Sequence, residues 1–145
     1  MITLLEDLKD LKITLEKKIK NCSNVFIVGH NGPDFDSLGA AVGLCAISRN
    51  FYKKAYIVID DDQSKLEPGV KRIIDAEQAH YRFITRHEFQ QLIDDKSLLI
   101  VVDTNKKDMI SIGEDLDKVE DIFVIDHHNE NDKSIKTPYK FIDIL

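Results

Sequence analysis

Short apolar runs that alternate with helical stretches constrain the fold of this chain most strongly. Each run is rich in β-branched residues and too short for a core helix, as is typical of buried parallel strands. The runs cover residues 25–28, 55–59, 98–102 and 122–125, with a weaker one at 80–85. Stretches of helical character lie between them, at about 36–49, 67–78, 86–94 and 114–119. The sequence therefore predicts an α/β fold, with a mainly parallel sheet of about five strands and helices on both faces.

Residues 3–20 come before the first run and have the spacing of an amphipathic helix. Thr3 and Glu6 match a capping box at its start. Apolar side chains recur along one face, at Leu4, Leu8, Leu11, Leu15 and Ile19. This helix either covers the core of the domain or connects to an upstream segment, since its spacing is also heptad-like. We therefore divide the chain into residues 1–21, a helix or linker, and residues 22–145, one α/β lobe.

The predicted helix over residues 36–49 is apolar almost all round. Such a helix is expected to be buried, and Gly39 and Gly43 would let its backbone approach a neighbouring element closely. Asp36 and Ser37 are candidates to cap its N-terminus.

Composition narrows the classes of protein that this chain can belong to. The chain has 145 residues and a formal net charge of −6, which disfavours a surface that binds duplex DNA through its phosphates. Its two cysteines, Cys22 and Cys45, are not in a metal-binding spacing and fit buried thiols of a cytosolic protein. No signal peptide is recognisable, and no apolar run approaches the roughly 20 residues that cross a bilayer. We therefore expect this chain to be cytoplasmic.

Histidine and aspartate side chains follow three of the predicted strands directly, namely His30, Asp34, Asp36, Asp103, Asp126, His127 and His128. The carboxyl ends of parallel strands share one edge of the sheet, where ligands bind. Carboxylates gathered there repel one another unless a cation compensates them. Mixed aspartate and histidine donors without cysteine favour Mn²⁺ or a similar ion over structural zinc. The sequence thus predicts a metal site in which Asp103 could bridge two ions about 3.5–4 Å apart.

Other acidic and histidine residues have simpler interpretations. Asp60, Asp61 and Asp62 also follow a predicted strand, but no histidine accompanies them, so we interpret them as a solvated loop. His80 and His87 stand in polar surroundings without a pattern, which indicates surface positions.

Three motifs, in this order, resemble those of the DHH family of phosphoesterases. Residues 30–40, His-Asn-Gly-Pro-Asp-Phe-Asp-Ser-Leu-Gly-Ala, resemble the first family motif, HxxPDxDSxGA. Val102-Asp103-Thr104 resembles the second motif, and Asp126-His127-His128 resembles the triplet that names the family. Within the family, the resemblance is to bacterial cyclic di-AMP phosphodiesterases of the GdpP type, and it is carried by residues 26–30, 69–74, 82–85 and 101–104.

This resemblance implies a two-metal phosphodiesterase that hydrolyses cyclic di-AMP to linear pApA, with Mn²⁺ as the expected ion. By matching positions, His30 and Asp34 would bind the first metal. Asp36 and His127 would bind the second metal, and Asp103 would bridge the two.

The triplet would also supply the catalytic groups. By the resemblance, Asp126 would orient His127, and His128 would contact the substrate phosphate. The metals would lower the pKa of a shared water and position it for attack. Adjacent histidines on an extended chain point to opposite sides, so we expect only His127 to bind metal.

The chain departs from the family pattern after the triplet. The family takes a further metal-binding aspartate from a later segment, and a C-terminal domain with a glycine-rich motif grips the substrate. Neither is matched here, and Asp143 lies where the last family strand leads into a linker. We therefore expect this chain alone to be weakly active or inactive. Members of the GdpP type also have membrane-spanning segments upstream, which implies a membrane-anchored parent with this lobe on the cytoplasmic side.

Several alternatives stay open at this level. The same ligand set suits a phosphoesterase acting on short oligonucleotides or 3′-phosphoadenosine phosphate, or a pyrophosphatase. An exonuclease of the RecJ type is disfavoured by the acidic charge. An alternative of another class is a lobe that binds metal or nucleotide without turnover. The expected partner is a cyclic dinucleotide or short nucleotide and not duplex DNA, and dimer formation stays open.

Overall fold

The computed structural model describes residues 2–60 and 62–143 of the chain. Within them the α-helices are α1 (Ile2–Asn21), α2 (Phe35–Asn50), α3 (Pro68–Glu77) and α4 (Arg86–Leu92). The strands are β1 (Asn24–Val28), β2 (Lys54–Val58), β3 (Arg82–Ile84), β4 (Leu98–Val102), β5 (Asp121–Asp126) and β6 (Tyr139–Ile142). The predicted helix at 114–119 is a 3₁₀-helix, Gly113–Lys118.

The strands form one sheet in the order β3-β2-β1-β4-β5-β6, with every neighbouring pair parallel. The predicted α/β fold with a parallel sheet is therefore confirmed, with six strands where about five were expected. The strand order runs in opposite directions on the two sides of the β1–β4 pair. In such sheets the carboxyl ends of the two central strands flank a crevice that binds ligands.

Both faces of the sheet are buried, as the continuous apolar strands predict. On one face, Val25 and Ile27 of β1 lie in a core that includes residues of α1, α2 and α3. On the other face, Phe26 and Val28 lie in a second core with Phe89 of α4 and the segment that contains the 3₁₀-helix. Full burial of each such side chain contributes about 1.5–3 kcal/mol. The two cores hold the strand ends, and with them the candidate site, in place.

The N-terminal helix α1 packs on the first of these cores. Leu15 and Ile19 are buried in it, whereas Leu8 is exposed. The Lys18 ammonium lies 2.9 Å from the Asp121 carboxylate at the start of β5, and this contact raises the pKa of Lys18. The connection of this helix to an upstream segment stays a prediction. The proposed capping box and Leu4 lie outside the described side chains.

Helix α2 begins one residue earlier than predicted, and its cap is a different residue. Asp34 is the N-cap, and its carboxylate accepts a hydrogen bond of 2.8 Å from the Ser37 amide. The prediction that Asp36 and Ser37 form the cap is therefore wrong. The side chain of an N-cap accepts a hydrogen bond from the backbone amide two or three residues further along the chain. In the first motif it is therefore Asp34, and not Asp36, that uses a carboxylate oxygen to cap the helix.

The second expectation for α2, burial on all sides, is also wrong. Gly39 and Gly43 are exposed, and a Cβ added at either position would meet no atom within 4 Å. Phe35 and Ile47 are exposed as well. The buried face of the helix consists of Ser37, Leu38, Ala41, Cys45 and Ser48. A mostly apolar sequence is thus compatible with a helix that covers only one face of a sheet.

Two further sequence expectations concern cysteines and the membrane. Cys22 and Cys45 are buried free thiols, as predicted, and burial raises the pKa of both. Among the helices in residues 2–60 and 62–143, none combines the length and apolar character needed to cross a membrane.

Candidate metal centre

The candidate residues gather where three neighbouring strands end. His30 follows β1, Asp103 follows β4, and Asp126 is the last residue of β5, with His127 and His128 directly after it. Since β4 pairs with β1 on one side and β5 on the other, the three ends are adjacent. The predicted convergence of these side chains therefore follows from the strand order.

Asp103 lies at the middle of this cluster. Its carboxylate oxygens lie 3.2 Å from His30 Nε2 and 2.8 Å from His127 Nε2. Its backbone is in the left-handed region, with φ of 61°, which aspartate tolerates better than most residues. Its amide donates a hydrogen bond of 3.0 Å to the Ile125 carbonyl. The backbone of β5 thus helps to hold an unusual conformation that places one carboxylate between two imidazoles.

His30 has the environment of a metal-binding histidine. Its Nδ1 lies 3.0 Å from the Asn31 carbonyl oxygen, which can only accept, so this contact is a hydrogen bond in the form of the ring that carries its proton on Nδ1. The lone pair of Nε2 is then directed to the side where Asp103 and Asp34 lie, at 3.2 and 4.0 Å from that nitrogen. A ligand histidine commonly donates its other ring N–H to a carbonyl in this way.

Two groups of donors in the described residues are compact enough to hold an ion. One group consists of His30, Asp34 and Asp103, and the other of Asp103, Asp126, His127 and His128. In each group the donor atoms all lie within 4.8 Å of one another. Asp103 belongs to both groups, which fits the bridging position expected for it. The donor set, aspartate and histidine without cysteine, fits Mn²⁺ or a similar divalent ion.

Two aspartates that the sequence analysis considered for the metal site, Asp36 and Asp143, lie outside both groups. Asp36 is exposed on the first turn of α2 and lines the same cleft, but it is not a member of either compact group. Asp143 continues the β5–β6 pairing, with its amide donating to the Asp126 carbonyl at 3.0 Å. It lines a separate depression beside α1. Within the described residues, neither completes a second compact site as placed here.

The triplet is arranged differently from the expectation. Asp126 Oδ1 lies 2.7 Å from His128 Nδ1, so the predicted pairing of Asp126 with His127 is wrong in this structure. The rings of His127 and His128 also do not point to opposite sides, because their centroids are 4.1 Å apart. Strand β5 ends at Asp126, and the alternation of side chains in a strand does not extend to the residues after it.

Asn105 is a site residue that the sequence did not indicate. It is buried, and its amide nitrogen donates to Asp126 Oδ2 at 2.8 Å. Asn105 comes directly after the second motif. The sequence alone does not distinguish an asparagine that is a buried hydrogen-bond donor from one that belongs to an ordinary turn.

The acidic run after β2 contributes to the loop of the first motif. Asp60 accepts a hydrogen bond of 3.0 Å from the amide of Gly32, which has φ of 64°. Asp62 caps a short 3₁₀-helix, and Asp61 lies outside the described residues. Asp60 is thus a partly exposed loop residue, in line with the interpretation as a solvated loop, and its carboxylate also holds the glycine turn between His30 and Asp34.

The remaining predictions for this region concern surface histidines and a close approach. His80 and His87 are exposed, as predicted.

A close approach of backbone does occur, but at Gly29, where an added Cβ would lie 2.3 Å from Ser37 Oγ. The missing side chain at Gly29 lets the first turn of α2 sit directly against the end of β1.

The donor groups line one side of a cleft with a volume of about 1000 Å³. The rest of its lining is largely apolar and includes Ala40, Leu44, Met109, Ile125 and Phe141. A cleft that joins a few charged groups to apolar walls is typical of a small-molecule site.

Comparison with known proteins defines the class to which this fold and site belong. The profile of the DHH family, N-terminal domain, matches residues 24–144. The chain therefore belongs to the DHH family, and the resemblance drawn from its three motifs is confirmed.

Individual relatives support a narrower relationship. The chain is 36% identical over 126 residues to the cyclic-di-AMP phosphodiesterase GdpP of Bacillus subtilis, covering 86% of this chain and 19% of that protein. It is 32% identical over 128 residues to the cyclic-di-AMP phosphodiesterase PdeA of Listeria monocytogenes, with the same coverage. The chain thus spans about a fifth of the length of the curated relatives that it matches.

A solved structure supports the fold. An exopolyphosphatase-related protein from Bacteroides fragilis superimposes with a TM-score of 0.63 at 20% sequence identity, covering 92% of this chain and 38% of that chain. At this level of identity the similarity establishes the fold alone.

Proposed function

We propose that this chain is the metal-binding lobe of a phosphodiesterase that hydrolyses cyclic di-AMP to linear pApA. The observation that carries the proposal is Asp103, whose two carboxylate oxygens face histidines from different strands. A carboxylate shared by two donor groups is the arrangement that a two-ion phosphoesterase needs. The relatives named above supply the substrate class.

Two divalent ions, with Mn²⁺ the best fit, would be held by the residues that the family motifs supply. His30, Asp34 and Asp103 would hold the first, and Asp103, His127 and Asp36 the second. When bound, such ions supply positive charge toward the phosphoryl oxygens and make water a better nucleophile. Since Asp36 lies outside both compact groups, we expect the first ion to bind more tightly and the chain alone to turn over slowly.

His128 would act on the substrate directly. Asp126 can only accept at the 2.7 Å contact with His128 Nδ1, so the proton of the neutral ring lies on Nδ1. Nε2 is then the nitrogen available to exchange a proton with a substrate oxygen. Asp126 would therefore serve catalysis through His128, while both histidines of the triplet keep separate roles.

The apolar walls of the cleft suit the remainder of the substrate. Leu44 and Phe141 lie on the side of α2 and β6, and Met109 lies after β4. Apolar and aromatic surfaces of this kind can contact the flat face of a nucleobase. Binding energy gained there would hold the phosphate at the donor groups.

The test combines hydrolysis with metal binding in wild type, His128→Ala and the matched control His87→Ala, which changes an exposed histidine of α4. Each protein is made as this chain and as a version extended through a C-terminal domain of the family. Cyclic di-AMP, a linear dinucleotide and 3′-phosphoadenosine phosphate are incubated with both forms and Mn²⁺, and products are quantified by mass spectrometry. We expect His128→Ala to lower turnover of cyclic di-AMP by about 10²–10⁴-fold. Calorimetry should show that both variants keep the wild-type Mn²⁺ binding.

Three results would contradict parts of this proposal. Preference for either linear substrate would favour a phosphoesterase for short nucleotides. Mn²⁺ and nucleotide binding without any product, in the extended version as well, would favour a binding lobe without turnover. Loss of Mn²⁺ from His128→Ala would make His128 a ligand and reassign the roles of the two histidines.

A further inference from the structure

We infer that Asn105 is a positioning residue, which fixes the Asp126 carboxylate and thereby the ring of His128. The inference rests on the proposed function insofar as His128 acts on the substrate. Asn105 lies in the loop after β4, two residues beyond Asp103, and only 1% of its surface is exposed. Its side chain therefore interacts with protein groups and hardly with solvent.

The amide nitrogen of Asn105 faces acceptors. It donates to Asp126 Oδ2 at 2.8 Å, and the backbone carbonyls of His128 and Asn129 lie 3.2 and 3.4 Å from it. The amide oxygen faces donors instead, namely Ser134 Oγ at 2.7 Å and the Lys106 ammonium.

These contacts fix the orientation of the amide. A flipped amide would place its oxygen against the Asp126 carboxylate and its NH₂ group against the Lys106 ammonium. Both contacts would be repulsive, since neither pair could share a hydrogen bond. Asn105 is thus held in one orientation, with its donor toward Asp126.

The Asp126 side chain is fully buried and uses both of its oxygens. Oδ1 contacts His128 Nδ1 at 2.7 Å, and Oδ2 accepts from Asn105. Without Asn105, one oxygen of a buried carboxylate would lack a partner, which is costly. The carboxylate would then rotate toward another donor or admit water, and either change removes the fixed partner of His128 Nδ1.

The same residue holds the chain that follows the triplet. The Asn105 carbonyl accepts from the Ile135 amide at 2.7 Å. The Lys106 ammonium donates to the Asn129 carbonyl at 2.9 Å, and the Ser134 hydroxyl accepts from the Asn131 amide at 2.9 Å. Anchoring of this segment is a second role. It depends mainly on the carbonyl and side-chain oxygens of Asn105 and on Lys106. The amide nitrogen of Asn105 adds only the longer contacts with the His128 and Asn129 carbonyls, at 3.2 and 3.4 Å. A test must therefore separate the anchoring from the contact with Asp126.

Three variants make that separation. Asn105→Leu keeps the branching of the side chain but removes the donor to Asp126, and Asn105→Ala does the same with less steric demand. Either variant can carry the test if the other fails to fold. Ser134→Ala is the matched control, because it removes a hydrogen bond to Asn105 and one to the following segment while the contact with Asp126 stays.

The decisive measurement is the ¹⁵N spectrum of the His128 imidazole in the metal-free protein at one fixed neutral pH. Wild type should show a single form with the proton on Nδ1. Asn105→Leu and Asn105→Ala should show a mixture of the two neutral forms, and Ser134→Ala should match wild type. In the hydrolysis assay, the Asn105 variants should lose about 10–100-fold in kcat, as outer partners of site residues do, with KM little changed.

The inference is overturned if both Asn105 variants keep the wild-type His128 spectrum. It is equally overturned if Ser134→Ala changes that spectrum as much as they do, because anchoring of the segment would then explain the effect. Failure of the proposed function would look different: wild type would show no hydrolysis even in the version extended by the C-terminal domain, while the spectra would still decide the role of Asn105.

Discussion

Replacing Asp103 with asparagine tests the centre of the site. Asparagine has nearly the same shape and tolerates a left-handed backbone, so the φ of 61° at this position can be kept. The substitution removes the negative charge and converts one of the two oxygens into an NH₂ group, which cannot bind a cation. One of the two histidine-facing positions therefore loses its ligand atom.

The magnitude follows from what is lost. Removing a residue that hydrogen-bonds to a metal ligand typically lowers the affinity for the metal by about 10–100-fold. Removing a ligand that two ions share should lower the affinity at least as much. At a Mn²⁺ concentration 100 times the wild-type Kd, binding stabilises the wild type by about 2.7 kcal/mol. A variant that binds 100-fold more weakly is stabilised by only about 0.4 kcal/mol at the same concentration.

Thermal unfolding with and without Mn²⁺ measures this difference. At about 2–4 °C per kcal/mol for a chain of this size, the metal should raise the Tm of wild type by roughly 5–10 °C and that of Asp103→Asn by about 1–2 °C. Asp103→Ala serves as the second variant. Without metal it should be less stable than Asp103→Asn, because alanine in the left-handed region costs about 1–2 kcal/mol.

A full Mn²⁺-dependent rise in the Tm of Asp103→Asn would contradict the metal-binding role of Asp103. In that case the carboxylate would not be a ligand, and its place between His30 and His127 would be an ion-pair arrangement only. Equal stability of the two metal-free variants would instead refute the argument from the left-handed backbone.

Three further predictions concern stability. Burial raises the pKa of Asp115, but hydrogen bonds from groups such as Arg86 lower it by more, so the pKa lies below its ordinary value. The ionised Asp115 thus stabilises the fold at pH values above its pKa in the unfolded chain, and this stabilisation is lost as the pH falls through its pKa in the folded protein. Denaturant unfolding should therefore find Arg86→Ala less stable than wild type at pH 7. The difference in unfolding free energy between the two proteins should be smaller in acid. Gly29→Ala should lose about 1–3 kcal/mol in the same assay, because its Cβ would lie 2.3 Å from Ser37 Oγ. Gly43→Ala, with no atom within 4 Å, should gain up to about 1 kcal/mol.

The sequence predicts the strands that are buried on both faces, indicates the edge strand β3 only weakly and misses the edge strand β6. Strands β1, β2, β4 and β5 are continuous apolar runs, so their composition is sufficient to find them. Strand β6, Tyr139–Ile142, is half-buried along its whole length at the edge of the sheet. Its Lys140 interrupts the apolar run, and a four-residue segment of this kind has no distinguishing pattern.

The same contrast holds within the site. Convergence of His30, Asp103 and His127 follows from the rule that the ends of parallel strands share an edge, and this rule needs only the positions of the strands. The role of Asp34 as a cap and the partner of Asp126 depend on where α2 begins and β5 ends. Ends of elements are defined least well by sequence patterns, so the sequence could indicate these residues but not their contacts.

The strand order explains why Asp103, among the conspicuous acids, occupies the shared position. In the described sheet, β4 is the strand that pairs with both β1 and β5. A ligand common to the donors of those two strands must therefore come from the end of β4, since a residue after β1 or β5 would have to reach across an intervening strand about 4.8 Å wide. The chain must also turn at once for the carboxylate to stay at the sheet edge, and the left-handed conformation of Asp103 provides that turn. Position in the sheet and backbone conformation thus select the same residue, which is why its substitution is the most direct test of the two-ion arrangement.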